Sequence, residues 1–383
     1  MDVKRALLLG TSSSAVPIYK ALSRLGLEIF PIGSYRSDPL TTVSNWIEED
    51  YSDDRKVESL ARRFDCDFIV PSCNDTAFVT ATKVAKTCQF PGFDMKRDLN
   101  QLWDKWGYRE ILRGSKYEVL SFMDWNDRLD TSDIASKFLR KPRFSHSGIG
   151  VSEVTDFTEP KNPSEDYFYE TFLEGTLHSH SIFLANSKIV ADFIADEFCS
   201  HFDFAVSNSN IPSRLDEQQK SQVREMSIFI AESLGVHTGL LHTQFISSKR
   251  GVYPLESMRR CPGDFFGSMV EKATGYDFYR NYVAGFTEIE IDSYKEGAQI
   301  KPIGRVSLYA DTSGLIEMEE LSLRKTVKSY HFSLLRVGDP IKREVSNKSS
   351  VVLLETSNEK DLWEVIPEAK VSRATLHTGV PSE

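Results

Sequence analysis

From residue 5 to about 95 the chain alternates short apolar runs with helical patterns: "ALLLG", "AVPIYKALSRLG", "EIFPIG", "DRKVESLARRF", "DFIVPS" and "DTAFVTATKVAKTC". Strands that alternate with helices close into a parallel sheet with crossover helices, so this opening is confined to a Rossmann-like half that ends near "FPGFD". The loop after the first strand, "GTSSSAVP", carries only Gly10 and fails the GxGxxG pattern that lets backbone approach a dinucleotide pyrophosphate. It reads instead as a tight turn whose serines cap the next helix, with a helix N-terminus suited to a small carboxylate.

A chain of 383 residues is too long for one compact core and suits about two or three domains. Charged residues at 27% and hydrophobic ones at 40% are ordinary for a soluble protein. No apolar run approaches the roughly 20 residues that cross a bilayer, and "ALLLG" is too short for a signal peptide, so no membrane association is expected. The five cysteines show no CxxC or Cys/His spacing, which argues against disulfides and zinc and for a cytoplasmic location. A net charge of −10 without clustered Lys and Arg excludes a nucleic-acid surface, so any polyanion bound is small.

Beyond residue 95, "DLNQLWDKWGYREILRGS" has helical apolar spacing at Leu102, Trp106, Ile111 and Leu112. "IASKFLRKPRFSHSGIGVSEV" reads as strand, Ser/Gly loop and strand, and "DYFYETFLEG" and "LHSHSIFLANSKIVADFIADEF" add further strands. A helix over about 214 to 234 starts at Ser213 and stops at Gly235, and "DFFGSMVEKATG" and "DFYRNYVAGF" supply two more. From about 296 the pattern returns to strands before a helix at "EKDLWEVIPEA" and a loose tail, "TLHTGVPSE".

Two stretches carry chemistry. In "KPRFSHSGIGV" the small residues Ser145 to Gly150 let backbone N–H groups face a phosphate, with Lys141 as a fixed positive charge; a plain hairpin would look similar. In "HTQFISSKRGVYPLESMRRCPGD" two strands meet at a Gly turn and present Gln244 and Glu256 to a common face. Two carboxylates there would make a magnesium site, and the sequence supplies one. His178, His180, His201 and His242 read as hydrogen-bonded structural residues, while Arg260, just after Glu256, points to a phosphate or carboxylate contact.

In their order and spacing, "WDKWGYREIL", "KPRFSHSGIGV", "YETFLEG", "LLHTQF", "YPLESMRRCPGD" and "KATGYDF" resemble the ATP-grasp superfamily. Its carboxylate-amine ligases are the nearest in pattern, including L-amino-acid and dipeptide ligases, biotin carboxylase and the carbamoyl-phosphate synthetase large chain. The resemblance implies an α/β (α+β) fold: a Rossmann-like domain over 1–95, the ATP-grasp domain over 96–295 and a small β-rich lobe over 296–383. It implies Lys105 and Lys141 on ATP phosphates, with Ser145, His146, Ser147, Gly148 and Gly150 in the loop that closes over them. Glu170, Thr171, Phe172 and Leu173 match the hinge that holds adenine, and Glu174 or His178 would meet the ribose, although Leu177 stands where the family often has an acid. Glu256 and Gln244 would hold Mg2+, with Mn2+ as a substitute, and Arg260, Lys141 and Glu256 would be catalytic. Met258 stands where the family has an oxygen ligand and offers only a soft sulfur.

Two functions follow from the resemblance. The first is an ATP-dependent ligase that activates a carboxylate as an acyl phosphate for attack by an amine, its partners being small molecules and a second copy in a homodimer. The second is a non-catalytic nucleotide-binding protein on a degenerate scaffold. A second carboxylate at the metal, from Asp264 or Asp196, would favour the ligase.

Overall fold

The computed structural model describes residues 3–94, 100–123, 137–154, 165–295, 297, 299–310, 312–316 and 328–366; the tail expected at "TLHTGVPSE" lies outside them. Strands β1 (Arg5–Leu9), β2 (Glu28–Ile32) and β3 (Phe68–Pro71) form a parallel sheet in the order β2-β1-β3. "ALLL" is buried throughout because helices cover both faces, and a sheet covered on both sides reads as a continuous apolar run. Helix α1 (Val16–Arg24) lies on one side with Ile18, Ala21 and Leu22 inward, and α2 (Asp54–Arg63) and α3 (Asp75–Cys88) lie on the other.

Gly10, at φ +120°, ends β1 where a Cβ would come within 2.1 Å of Ser72 Oγ, so only glycine fits the turn. The serines after it do not cap α1: its N-cap is Ala15, and Ser12 makes no side-chain cap bond. The helix expected in "DLNQLWDKWGYREILRGS" is two helices, α4 (Asn100–Trp103) and α5 (Lys105–Leu112). The break falls at Asp104, whose carboxylate accepts the Trp106 N–H and so starts a new helix.

A four-stranded antiparallel sheet follows, in the order β4-β7-β5-β6, from β4 (Ser121–Phe122), β5 (Phe138–Pro142), β6 (Ser152–Val154) and β7 (Tyr167–Thr171). The largest element is an eight-stranded antiparallel sheet in the order β12-β11-β8-β9-β10-β13-β17-β15. Its strands are β8 (Thr176–Ala185), β9 (Lys188–Phe198), β10 (Asn208–Ile211), β11 (Gly239–Ser248), β12 (Gly251–Met258), β13 (Ile303–Tyr309), β15 (Lys328–Ser333) and β17 (Lys348–Glu355). The strands after residue 296 therefore extend the same sheet as β8 to β12, while β14 (Gly314–Leu315) and β16 (Pro340–Ile341) pair with each other. The last described helix, α9 (Glu359–Val365), packs Leu362 against Val306, Leu308, Val352 and Leu354.

The two faces of the large sheet are covered differently. Helix α6 (Glu217–Leu234) lays Val223, Met226, Ile230 and Leu234 on Ile182, Leu184, Leu241 and Phe245. On the opposite face, α7 (Phe266–Thr274) and α8 (Phe278–Ala284) pack on Phe183, Phe193 and Leu240. They cover only one end of that face and leave the end carrying Gln244 and Glu256 to line a cavity. The α6 cap is Asp216, which forms a capping box with Gln219, and Gly235 closes the helix at φ +70°. Ser213, expected as the cap, instead donates its hydroxyl to Asp196.

Arg259 ties the sheet to the first domain. Its fully buried guanidinium donates to the carbonyls of Thr238 at 2.9 Å, Leu240 at 3.1 Å and Gly92 at 3.1 Å, and to Asp94 Oδ1 at 3.0 Å. Arg259→Met keeps the apolar stem but leaves those acceptors unpaired. It is expected to lower stability by about 3 kcal/mol, read as a fall in the urea midpoint.

Candidate functional site

The two antiparallel sheets and the loops of the first domain enclose a cavity of about 1450 Å3. Small-molecule sites run to about 300–1,000 Å3, so this one has room for more than one ligand at once. Its floor is the open end of the large sheet. There Gln244 lies directly opposite Glu256, and a bulge follows: Phe245 pairs with Pro254, which leaves Leu255 unpaired. A bulge re-aims side chains and tolerates proline on an edge strand, and both Leu255 and Glu256 line the cavity. The spacing "HTQF…YPLES" therefore does what its alternation implies, with the two polar side chains on one face.

Above the floor stands the four-stranded sheet. Lys141 on β5 and Glu170 on β7 are buried and joined by an ion pair, and Arg109 from α5 donates to the other Glu170 oxygen at 2.7 Å. Burial alone drives a carboxyl upward, but the two cations outweigh it and hold Glu170 at about 2. Burial also pushes the Lys141 ammonium below its usual range, with Arg109 adding repulsion and Glu170 opposing both. Counted with both basic groups protonated, the triad of Arg109, Glu170 and Lys141 carries one net positive charge, and Lys141 and Glu170 line the cavity.

Glu170 is thus an internal counter-ion, and its side chain is not free for a ligand. The hinge that follows offers less than expected, because the Thr171 N–H donates to Leu120 O and the Phe172 N–H to Lys137 O, both at 3.0 Å. Leu173 N–H has no backbone partner among the described residues, and Thr171, Phe172 and Leu173 all line the cavity.

The loop from Ser145 to Gly150 forms one wall. Ser145 Oγ donates to Ile149 O at 2.7 Å, and Lys105 donates its ammonium to Ser145 O while lying 3.7 Å from Glu256. Ser147, at φ +53°, and Gly148, at φ +70°, turn the chain tightly. A Cβ on Gly148 would come within 2.5 Å of Phe204 O, so the loop rests against the segment after β9. Ser145, His146, Ser147 and Gly148 line the cavity, but Gly150 does not: its φ of +79° serves the turn, beside Pro142.

Arg260 reaches the cavity from the end of β12 and pairs with Asp75, Nε to Oδ1 at 2.5 Å and Nη2 to Oδ2 at 3.3 Å. Asp75 opens α3, so the first domain meets the large sheet through this ion pair. The adjacent arginines thus separate, Arg259 inward as a tie and Arg260 toward the cavity.

His178 is not on the cavity wall. Its Nδ1 lies 2.6 Å from Asp196 Oδ1 and its Nε2 2.6 Å from Thr176 Oγ1, and its ring stacks on Phe245 under α6. The pleat explains the correction, since Leu177 takes the cavity side and its neighbour points away. Asp196 falls on the same far side and is removed as a source of the second carboxylate. Asp264 does line the cavity, but Lys348 holds its carboxylate and Arg305 lies 3.6 Å away.

Sequence reasoning missed two residues. Glu197 on β9 lines the cavity beside Gln244, whose Nε2 donates to its Oε2 at 3.1 Å, and burial pushes its carboxyl above the usual range. Arg305 on β13, 4% exposed, donates from Nη2 to Ser209 Oγ at 2.7 Å, while its buried Nε has no partner among the described residues. The signal for Glu197 was strand parity in "IADEF", where Asp196 and Glu197 must take opposite faces. Nothing local to residue 305 marks it.

The donor set suits a hard cation. Glu256 offers a carboxylate, and Gln244, with its amide nitrogen turned to Glu197, keeps its carbonyl oxygen for a ligand; the Met258 thioether does not suit magnesium. Among the described residues, no group of three or more His, Cys, Asp and Glu side chains gathers at metal-ligating distance, so further ligands would come from bound phosphate and water. No described helix is long and apolar enough to cross a membrane.

No family model and no curated relative matches this sequence. Solved structures match over nearly its whole length. The L-amino acid ligase from Bacillus licheniformis superposes with a TM-score of 0.76 at 18% identity, covering 94% of this chain and 95% of that one. Phosphoribosylglycinamide synthetase from Anaerococcus prevotii gives 0.75 at 15%, covering 95% and 96%. The biotin carboxylase domain of the Hydrogenobacter thermophilus 2-oxoglutarate carboxylase, a dimer in complex with MgADP, ADP and bicarbonate, gives 0.69 at 15%, covering 93% and 87%. The chain has the ATP-grasp fold.

His242 lies on the cavity side of β11, bonded to Ser181 Oγ at 2.7 Å, and burial followed by the nearby Arg260 charge holds its imidazole at about 3. Unfolded, it titrates near about 6.5, so below that pH the unfolded chain takes up a proton the native one refuses, and stability falls as pH drops toward about 3. His242→Gln is expected to remove up to about 1.4 kcal/mol per pH unit from that slope. Urea midpoints of the two proteins from pH 7 to 5 check it, the gap between them narrowing with acid.

Proposed function

We propose that the protein is an ATP-dependent ligase that activates a small carboxylate as an acyl phosphate and joins it to an amine, an amino acid or small carboxylic acid being the acyl donor. The observation that carries the reading is the convergence of Lys105, Lys141, Arg260 and Arg305 with Glu256 and Gln244 around one cavity large enough for two ligands. The likeness to a ligase, a synthetase and a MgADP-bound domain supports the choice of nucleotide.

Adenine would sit at the hinge, with the Leu173 N–H as donor and hinge carbonyls as acceptors. The triphosphate would run beneath the loop of Ser145, His146, Ser147 and Gly148, toward Lys141 and Lys105. An arriving phosphate would favour the protonated Lys141, giving the buried triad a net positive charge to meet it. Bound magnesium, held by Glu256 and the Gln244 carbonyl, would neutralise phosphate charge; Mn2+ would serve in its place.

The carboxylate attacks the γ-phosphorus, its oxygen–phosphorus bond forming as the bond to the ADP oxygen breaks. The amine nitrogen then attacks the acyl carbon, expelling phosphate and losing a proton. Arg260 and Arg305 line the cavity as paired guanidiniums for the transferred phosphoryl group, a charge-stabilising and positioning role.

Purified protein with magnesium ATP, screened against a matrix of amino acids and small acids, is expected to release ADP and phosphate only when both a carboxylate and an amine are present. Glu256→Gln and Lys141→Met should each reduce that release on the order of a hundredfold or more. Tight ATP binding without release under any pairing overturns the ligase reading.

A further inference from the structure

Each of three acidic residues around the cavity has a basic partner. Glu170 has Arg109 and Lys141, Asp75 has Arg260, and Asp264 has Lys348. Glu197 is different: it is 5% exposed, and among the described residues no Lys, Arg or His lies within ion-pair distance of its carboxylate. Its hydrogen-bond partner is the neutral Gln244 amide at 3.1 Å. A buried carboxylate without a contacting cation is costly, and such groups are normally paired with a cation or bound to a metal.

The sheet explains how Glu197 reaches the metal position from a strand two places away. The order runs β12, β11, β8, β9, and the residue facing Gln244 on the intervening strand is Ser179. This small, fully buried side chain lets Gln244 extend past it to Glu197. Glu256 flanks Gln244 on the other side, so the three oxygen-bearing side chains form a row across the floor.

A second observation lies beyond that row. Ser209 faces Glu197 on β10 and Arg305 on β13, and it accepts the Arg305 Nη2. The Arg305 charge acts on Glu197 from beyond ion-pair distance, and its Nε is buried without a hydrogen-bond partner among the described residues. A cation that carries phosphate oxygens satisfies both at once.

We propose that Glu197 is the second carboxylate of the metal–nucleotide site, taking the place of the acid that β11 lacks at Gln244. This rests on the nucleotide-binding reading above. Gln244 then has two roles: its amide nitrogen holds Glu197 in place, and its carbonyl oxygen faces the cation. With two carboxylates and one neutral oxygen, the site needs nothing from the Met258 thioether.

The probe is Mn2+, titrated into the full chain with saturating ADP and followed by the loss of the free-ion EPR signal. Glu197→Gln, which keeps the shape and the bond to Gln244, is expected to raise the Mn2+ Kd on the order of tenfold or more, with ADP binding in EDTA unchanged. Restoring an acid on β11, as Gln244→Glu in the Glu197→Gln background, should recover most of that affinity. Equal melting temperatures of the metal-free proteins exclude misfolding as the cause. If Glu197→Gln binds Mn2+ within twofold of wild type while Glu256→Gln does not, the assignment of Glu197 is overturned and the nucleotide reading stands. If wild type binds no ADP in EDTA or with metal, both fall.

Discussion

The pleat of the eight-stranded sheet governs which side chains can act together. Along β8, β9 and β11 successive residues take opposite faces, so Gln244 and Glu197 share the cavity side while His178, His180 and Asp196 are committed to the side under α6. A slip of one residue would reverse the faces of whichever strand moved, turning His178 and His180 of β8 to the cavity, or Glu197 of β9 or Gln244 of β11 away from it. The far face enforces the register. Ile182, Leu184, Leu241 and Phe245 must meet α6, and His178 and His180 must find Asp196, Thr176, Ser227 and Asp192. The chemistry on one face is therefore positioned by the packing on the other.

Charge is arranged on the same plan. The buried Arg109–Glu170–Lys141 triad fixes the hinge strand to α5, and Arg109 also donates to Pro254 O at 3.1 Å, next to the bulge that aims Glu256. One buried arginine thus sets both the charge above the cavity and the backbone below it.

Much of this was legible in the sequence. The alternation through residue 95, the helix "DTAFVTATKVAKTC" and the strand pair carrying Gln244 and Glu256 appear where their periodicity puts them, because each is fixed by local pattern and capping. Several misreadings come from competition with a distant partner. Ser213 was drawn from capping to Asp196, Glu170 was claimed by two cations, and the Thr171 and Phe172 amides were spent on Leu120 and Lys137. His178 follows strand parity instead: next to Leu177, which lines the cavity, it must face the other way. Glu197 and Arg305 come together only through strand order, which depends on crossovers that no local pattern records.

The ion pair between Arg260 and Asp75 makes occupancy and architecture compete for one guanidinium. The same group that would receive an incoming anion now latches the start of α3 to the end of β12. An arriving anion must share that latch or loosen it. Filling the cavity is therefore felt in the first domain as a change in how firmly it is held, through a single side chain and without any intervening hinge.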